Sequence, residues 1–75
     1  MLKKEYEKRH RFITHQLVKA REDAGLTQKE VSETKIISQS ELSKLENGQR
    51  NIDFIILTEL AALYKKELSF FIQKT

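Results

Sequence analysis

The chain of 75 residues contains no cysteine, no proline and no tryptophan, and it has only two glycines. Without cysteine there is no disulfide scaffold, and two histidines alone make no zinc site. There is also no run of about 18 apolar residues and no signal-peptide pattern, because the first eleven residues are mostly charged. We therefore expect one small cytoplasmic domain with no metal, no cofactor and no membrane association.

The two histidines offer no catalytic site. His10 and His15 lie five residues apart, a spacing that does not place them on one face of a helix. No acid or nucleophile stands out as their partner, and general acid–base catalysis requires such a neighbour within hydrogen-bonding reach. We expect two surface histidines and no enzyme.

The most informative feature is a pattern that occurs twice, eleven residues apart. In each copy an apolar residue is followed by Ser or Thr, Gln, any residue, Glu and a second apolar residue. The hydroxyl can cap the N3 amide, the Glu can return a bond to the amide of the cap, and the apolar pair can form a hydrophobic staple. Two helix starts at this spacing leave room for about two turns and a tight corner, the dimension of a helix-turn-helix. The copies are Leu26-Thr27-Gln28-Lys29-Glu30-Val31 and Ile37-Ser38-Gln39-Ser40-Glu41-Leu42.

Apolar residues at helical spacing predict an all-α domain of five short helices without strands. Gly25 and Gly48 fall where the first and third helices should end, at positions that favour φ > 0. The predicted helices cover about residues 8–24, a second helix from Thr27, a third over about 38–47, a fourth from Asp53 or Asn51, and a fifth around 68–72.

The excess of positive charge lies entirely at the N terminus. Residues 1–11 contain five basic and two acidic side chains, whereas the rest of the chain contains nine of each. A basic segment of this kind attracts nucleic-acid phosphate when it forms an arm. The alternative is a solvated start of the first helix, and the sequence leaves both open. Residues 12–75 then form the domain proper.

The last third of the chain is unusually apolar, with fourteen apolar side chains among residues 52–72. A helix that faces one core needs only about three or four per seven residues. The excess favours C-terminal dimerisation helices, because large exposed apolar patches mark interfaces. The alternative is that a five-helix fold simply surrounds the fourth helix. The candidates for a homodimer interface are Phe54, Ile55, Phe70 and Phe71.

The first turn of the third helix carries short polar side chains that suit recognition of DNA bases. Leu42 and Leu45 should take its inner face, which leaves four polar residues outside. In the major groove Gln pairs with adenine, Lys donates to guanine, and Ser serves either. These candidates for base contact are Gln39, Ser40, Ser43 and Lys44.

Further polar residues flank the third helix. Gln28 begins the second helix, where a side chain can meet a phosphate. Asn47, Gln49 and Arg50 follow the third helix and are candidates for contact with the DNA backbone. The alternative for this loop is an ordinary solvated helix cap and turn.

The stretch from Arg21 to Arg50 resembles the helix-turn-helix of the phage-repressor and Cro type, called the XRE family. The segments GLTQ at 25–28 and SKLENGQR at 43–50 carry the likeness, which extends over about residues 12–72. The continuation Arg50-Asn51-Ile52 and the pair Phe70-Phe71 look like the small dimeric controller proteins of restriction–modification systems. The resemblance implies a compact lambda-repressor-like domain that regulates transcription by binding specific double-stranded DNA as a homodimer.

The resemblance also implies roles for single positions. Gln39, Ser40 and Lys44, with Ser43 beside them, match the base-reading positions, and Gln28, Asn47, Gln49 and Arg50 match positions that contact the backbone. Arg21 and Glu46 match a pair that bridges the first helix to the end of the third in relatives. We therefore expect Arg21 to be structural rather than a DNA contact.

The chain departs from the family pattern at the corner between the second and third helices. A glycine is usual there, and this chain has Ile36, preceded by Lys35. A β-branched residue held at φ > 0 costs about 1–3 kcal/mol. We therefore expect the second helix to end differently, with either Ile36 or Ile37 buried in the core.

A protein-interaction module that keeps this fold without binding DNA is the competing interpretation. The balanced charge after residue 11 favours it, as do Glu41 and Glu46 against Lys44 in the third helix. The capping pattern explains Glu41, however, and Arg21 explains Glu46. Binding to nonspecific duplex at low salt discriminates between the two hypotheses.

Overall fold

The computed structural model describes residues 2–73 and contains four α-helices in that range. They are α1 (Lys3–Asp23), α2 (Gln28–Glu33), α3 (Gln39–Glu46) and α4 (Phe54–Leu63), and no strand occurs among these residues. The all-α prediction is confirmed, but the predicted count of five helices is not. The fifth element is a single 3₁₀ turn, Leu68–Phe71, because four residues are too few to nucleate an α-helix.

Helix α1 begins at Lys3, about five residues before the start that the apolar spacing predicts. Residues 3–11 therefore form the first turns of α1. Lys, Glu and Arg dominate this segment, and these residues favour helix even where they face solvent. Apolar periodicity could not reveal the early start, because this part of the helix buries little.

Side-chain caps fix the starts of the next three helices. Thr27 and Glu30 form a complete capping box, in which each side chain bonds the backbone amide of the other at 3.1 and 2.9 Å. At α3 the Ser38 hydroxyl accepts from the Glu41 amide, but the Glu41 carboxylate accepts from the Ser38 hydroxyl instead of the backbone amide. The second box is therefore incomplete. Asp53 caps α4 by accepting from two backbone amides.

The corner between α2 and α3 differs from the family pattern as expected. Lys35 takes the left-handed conformation, with φ of 69°, while Ile36 does not have a positive φ. Ile37 is buried and Ile36 is half-buried against the core. A side chain that is not β-branched, such as that of Lys35, tolerates φ > 0 better than a β-branched one. The left-handed conformation therefore falls on Lys35, one residue before Ile36.

The core lies where all the helices meet, and α2 packs against α3 across the corner. Phe71 belongs to this core with no exposed surface, so its assignment to a dimer interface is wrong. The 3₁₀ turn packs against α1 and directs this ring inward. None of the described helices is long and apolar enough to cross a membrane. The buried apolar residues are Leu17, Ala20, Val31, Ile37, Leu42, Leu45, Leu60, Ala61, Tyr64 and Phe71.

Candidate nucleic-acid interface

Helix α3 turns its polar residues away from the core. Leu42 and Leu45 are buried, as the sequence predicts. Gln39, Ser40 and Lys44 are exposed, and Ser43 is half-buried. The helix thus presents a contiguous polar face that starts at its capped N terminus.

A largely buried ion pair holds the end of α3 against α1. Arg21 donates from Nε and Nη2 to the two carboxylate oxygens of Glu46, at 2.8 and 3.0 Å. Its Nη1 also donates to the carbonyl of Leu26 at 2.9 Å. The side chains are 14% and 4% exposed, and the hydrogen bond with Glu46 raises the pKa of Arg21. The Arg21 guanidinium therefore makes its hydrogen bonds to partners within the protein.

Gln28 joins the same cluster, a contact that sequence reasoning missed. Its Nε2 donates to Oε1 of Glu46 at 2.9 Å and ties the start of α2 to the end of α3. Gln28 is half-buried. Its amide still has a second N–H and a carbonyl oxygen for another partner.

Tyr64 lies beside this cluster with a hydroxyl that has no hydrogen-bond partner among the described residues. The residue is 3% exposed. Burial raises the pKa of Tyr64 to about 12, with a further increase from the Glu46 charge and an opposing effect of Arg21. No local sequence pattern indicates that this hydroxyl lacks a partner.

The loop between α3 and α4 is fastened to the first turn of α3. Arg50 donates from Nη1 to Oε2 of Glu41 at 2.8 Å. Asn47 and Gln49 in the same loop are exposed. Glu41 therefore contacts both the helix cap and the loop, so that the polar face of α3 and the loop form one connected surface.

The first turns of α1 pack against the far end of this loop. The Tyr6 hydroxyl donates to Oδ1 of Asn51 at 2.9 Å, and Nε2 of His10 lies 3.1 Å from the carbonyl oxygen of Arg50. The two rings stack with centroids 6.0 Å apart. These two contacts span 45 and 40 residues of sequence, respectively, and no local sequence pattern predicts them.

The remaining interface candidates separate into exposed and covered residues. Phe54 and Ile55, in the first turn of α4, are each 67% exposed. Phe70 is half-buried, with its ring edge-on to Phe71 and 4.6 Å below Nζ of Lys66. The start of α4 therefore exposes two large apolar side chains, whereas Phe70 is partly covered.

Residues 2–73 contain no group of three or more His, Cys, Asp or Glu side chains placed to hold a metal ion. A family model described as "Helix-turn-helix" matches residues 17–71, which include α2, α3, α4 and the clustered residues around Glu46. No curated protein and no solved structure matches the chain.

Proposed function

Because the chain belongs to the helix-turn-helix family of the XRE/Cro type, whose members are DNA-binding regulators, we propose that it is a sequence-specific transcriptional regulator of double-stranded DNA that acts as a homodimer. One observation carries the proposal. The exposed polar residues of α3 stand on a helix whose start, end and following loop are all fixed by side-chain contacts. Rigid placement of this kind is what base recognition requires.

In this proposal α3 enters the major groove with its first turn towards the base edges. Gln39 and Lys44 are the strongest readers, because a well-formed bidentate pair discriminates against a wrong base by about 1–3 kcal/mol. Ser40 reads a neighbouring base, and the half-buried Ser43 has a smaller part. No covalent chemistry is required, since bound protein blocks or recruits the transcription machinery.

The backbone contacts come from the two ends of the polar surface. At one end the free N–H of Gln28 reaches a phosphate while its other N–H stays on Glu46. At the other end Asn47, Gln49 and Arg50 contact the backbone. The Arg50–Glu41 pair does not prevent this role, because exposed pairs contribute only about 0–1 kcal/mol and a phosphate competes readily.

The homodimer uses the exposed face of α4. Phe54 and Ile55 present two large apolar side chains side by side, and a second copy would remove them from water. Two copies then place two α3 helices on half-sites about 34 Å apart. Phe70 has a smaller part in the proposed interface, because Lys66 covers part of its ring.

Selection of bound sequences from random duplexes tests this function. We expect an enriched palindrome whose half-sites are centred about one helical turn apart. The matched variant Phe54→Ser/Ile55→Ser should bind a single half-site and sediment as a monomer. Enrichment of an asymmetric site by the wild type, with equal sedimentation of both proteins, contradicts the homodimer.

The interaction-module alternative makes a different prediction for the same protein. A module of that kind gives no shift with nonspecific duplex even at 50 mM salt, where a DNA-binding protein with several phosphate contacts shows at least weak affinity. Absence of any shift at low salt would therefore refute DNA binding altogether.

A further inference from the structure

The first turns of α1 display the positive excess of the chain as an ordered surface. Lys4, Lys8 and Arg11 follow one another at spacings of four and three residues, so they share one face of the helix. All three are exposed. No carboxylate of residues 2–73 forms an ion pair with any of them. We call this set the basic face of α1.

The structure fixes the orientation of this face. Tyr6 and His10 hold the opposite side of the helix against Asn51 and the carbonyl of Arg50. The basic residues consequently point away from the core, and their helix cannot swing freely from the α3–α4 loop. Such an anchored helix differs from a loose arm, because little ordering entropy is lost when its side chains meet a ligand.

One member of the basic face, Arg11, lies next to the loop that is our candidate for backbone contact. Arg11 lines a shallow depression that Asn47 and Gly48 also line. Glu7 shares that depression and weakens the positive potential there. Lys8 lines a separate depression together with Arg11, on the side of α1 that carries Phe12 and His15. Arg11 thus connects the loop with the basic face on the outside of α1.

We propose that the basic face of α1 is a second phosphate-contacting surface, which follows one strand of the duplex outward from the α3–α4 loop. The inference rests on the proposed function, because it extends the same DNA interface. Lys4 and Arg11 are separated by about 10 Å along the helix axis, close to the rise of about three nucleotides. Contacts of this type carry affinity without sequence information.

The salt dependence of DNA binding tests the proposal. The variant Lys4→Gln/Lys8→Gln removes two charges from the basic face, and Lys65→Gln, which removes one exposed lysine charge after α4, is the control matched to the single-charge variant Arg11→Gln. Glutamine keeps the helix propensity of lysine, and circular dichroism verifies equal helicity. Affinities for one selected duplex and one scrambled duplex are measured from 50 to 300 mM salt.

We expect the slope of log K against log salt to fall by about 1.8 for Lys4→Gln/Lys8→Gln, with affinity at 0.1 M reduced roughly fiftyfold on both duplexes. Arg11→Gln should lower the slope by about 0.9. The control should keep the wild-type slope. A wild-type slope in the first variant, or an equal fall in the control, overturns the proposal while leaving the proposed function intact. Failure of the wild type to bind any duplex overturns both.

Discussion

Replacement of Arg21 by methionine tests whether the Glu46 cluster holds the helix-turn-helix together. Methionine keeps an unbranched apolar stem and a similar helix propensity but removes the charge and the donors of Arg21. The Glu46 side chain is 4% exposed in the wild type, and the variant leaves its carboxylate with the bond from Gln28. It also leaves the Leu26 carbonyl without the Arg21 donor.

The expected loss follows from this burial. Removing one partner of a fully buried ion pair costs about 3–5 kcal/mol. Because Gln28 still donates to Glu46, we expect the lower end of this range, about 3 kcal/mol. A domain of this size has a total free energy of unfolding of about 4–11 kcal/mol. The variant should therefore lose a large share of its stability.

Urea unfolding followed by circular dichroism measures this loss. With an m-value of about 1 kcal/mol per molar, the midpoint should fall by about 3 M. The matched control is Lys19→Met, which removes the exposed pair with Asp23 on the same helix and should cost less than about 0.5 kcal/mol. The double variant Arg21→Met/Glu46→Met should recover at least half of the loss, because no charge is left buried.

Two results would refute the reasoning. A loss below about 1 kcal/mol for Arg21→Met would mean that Glu46 is hydrated well enough to stand alone. A double variant as unstable as the sum of its single variants would mean that packing, not stranded charge, explains the effect.

Three further substitutions test single features of the fold. Lys35→Gly should stabilise the protein by about 0.5–1 kcal/mol, since φ is 69° there, whereas Lys29→Gly inside α2 should destabilise it by about 1 kcal/mol; equal effects in urea unfolding would exclude strain at Lys35. Tyr64→Phe should raise stability by about 1 kcal/mol, because it removes a buried hydroxyl without a partner, and a lower melting temperature would reveal a partner for that hydroxyl. The bonds to Thr27 lower the pKa of Glu30 from its usual 4.5, so its contribution is present above that value and is lost as pH falls through the lowered pKa. Melting curves should therefore show a difference between wild type and Glu30→Gln at pH 6 that shrinks as the pH is lowered below 4.5, and a difference that stays constant contradicts the capping role.

Local chemistry explains which parts of this fold the sequence reveals. The sequence predicts the helix starts at Thr27 and Asp53 and the helix ends at Gly25 and Gly48. Each of these caps depends on residues within four positions of one another, so its pattern can be recognised in the chain. The apolar pattern does not predict the start of α1 at Lys3, because helix propensity rather than burial extends that helix. The sequence shows that Ile36 stands where a glycine is usual, but it does not show that Lys35 takes the left-handed conformation.

The site was less readable than the fold, because its contacts join distant segments. The polar character of α3 follows from which residues face the core, and the pair of Arg21 with Glu46 came from the family resemblance. The bond from Gln28 to Glu46 depends on the exact placement of two helices. Apolar density in the last third likewise predicted too large an interface, since it could not tell that Phe71 faces inward while Phe54 faces out.

The most direct test of the central claim is the affinity ratio between a selected duplex and a scrambled one. It is measured at one salt concentration for the wild type and for Gln39→Ala/Ser40→Ala/Lys44→Ala. The account predicts a wild-type ratio of at least about 10³. In the variant the affinity ratio should fall towards one. Affinity for the scrambled duplex should fall only by the loss of the Lys44 charge. An unchanged ratio in the triple variant would contradict base recognition by α3.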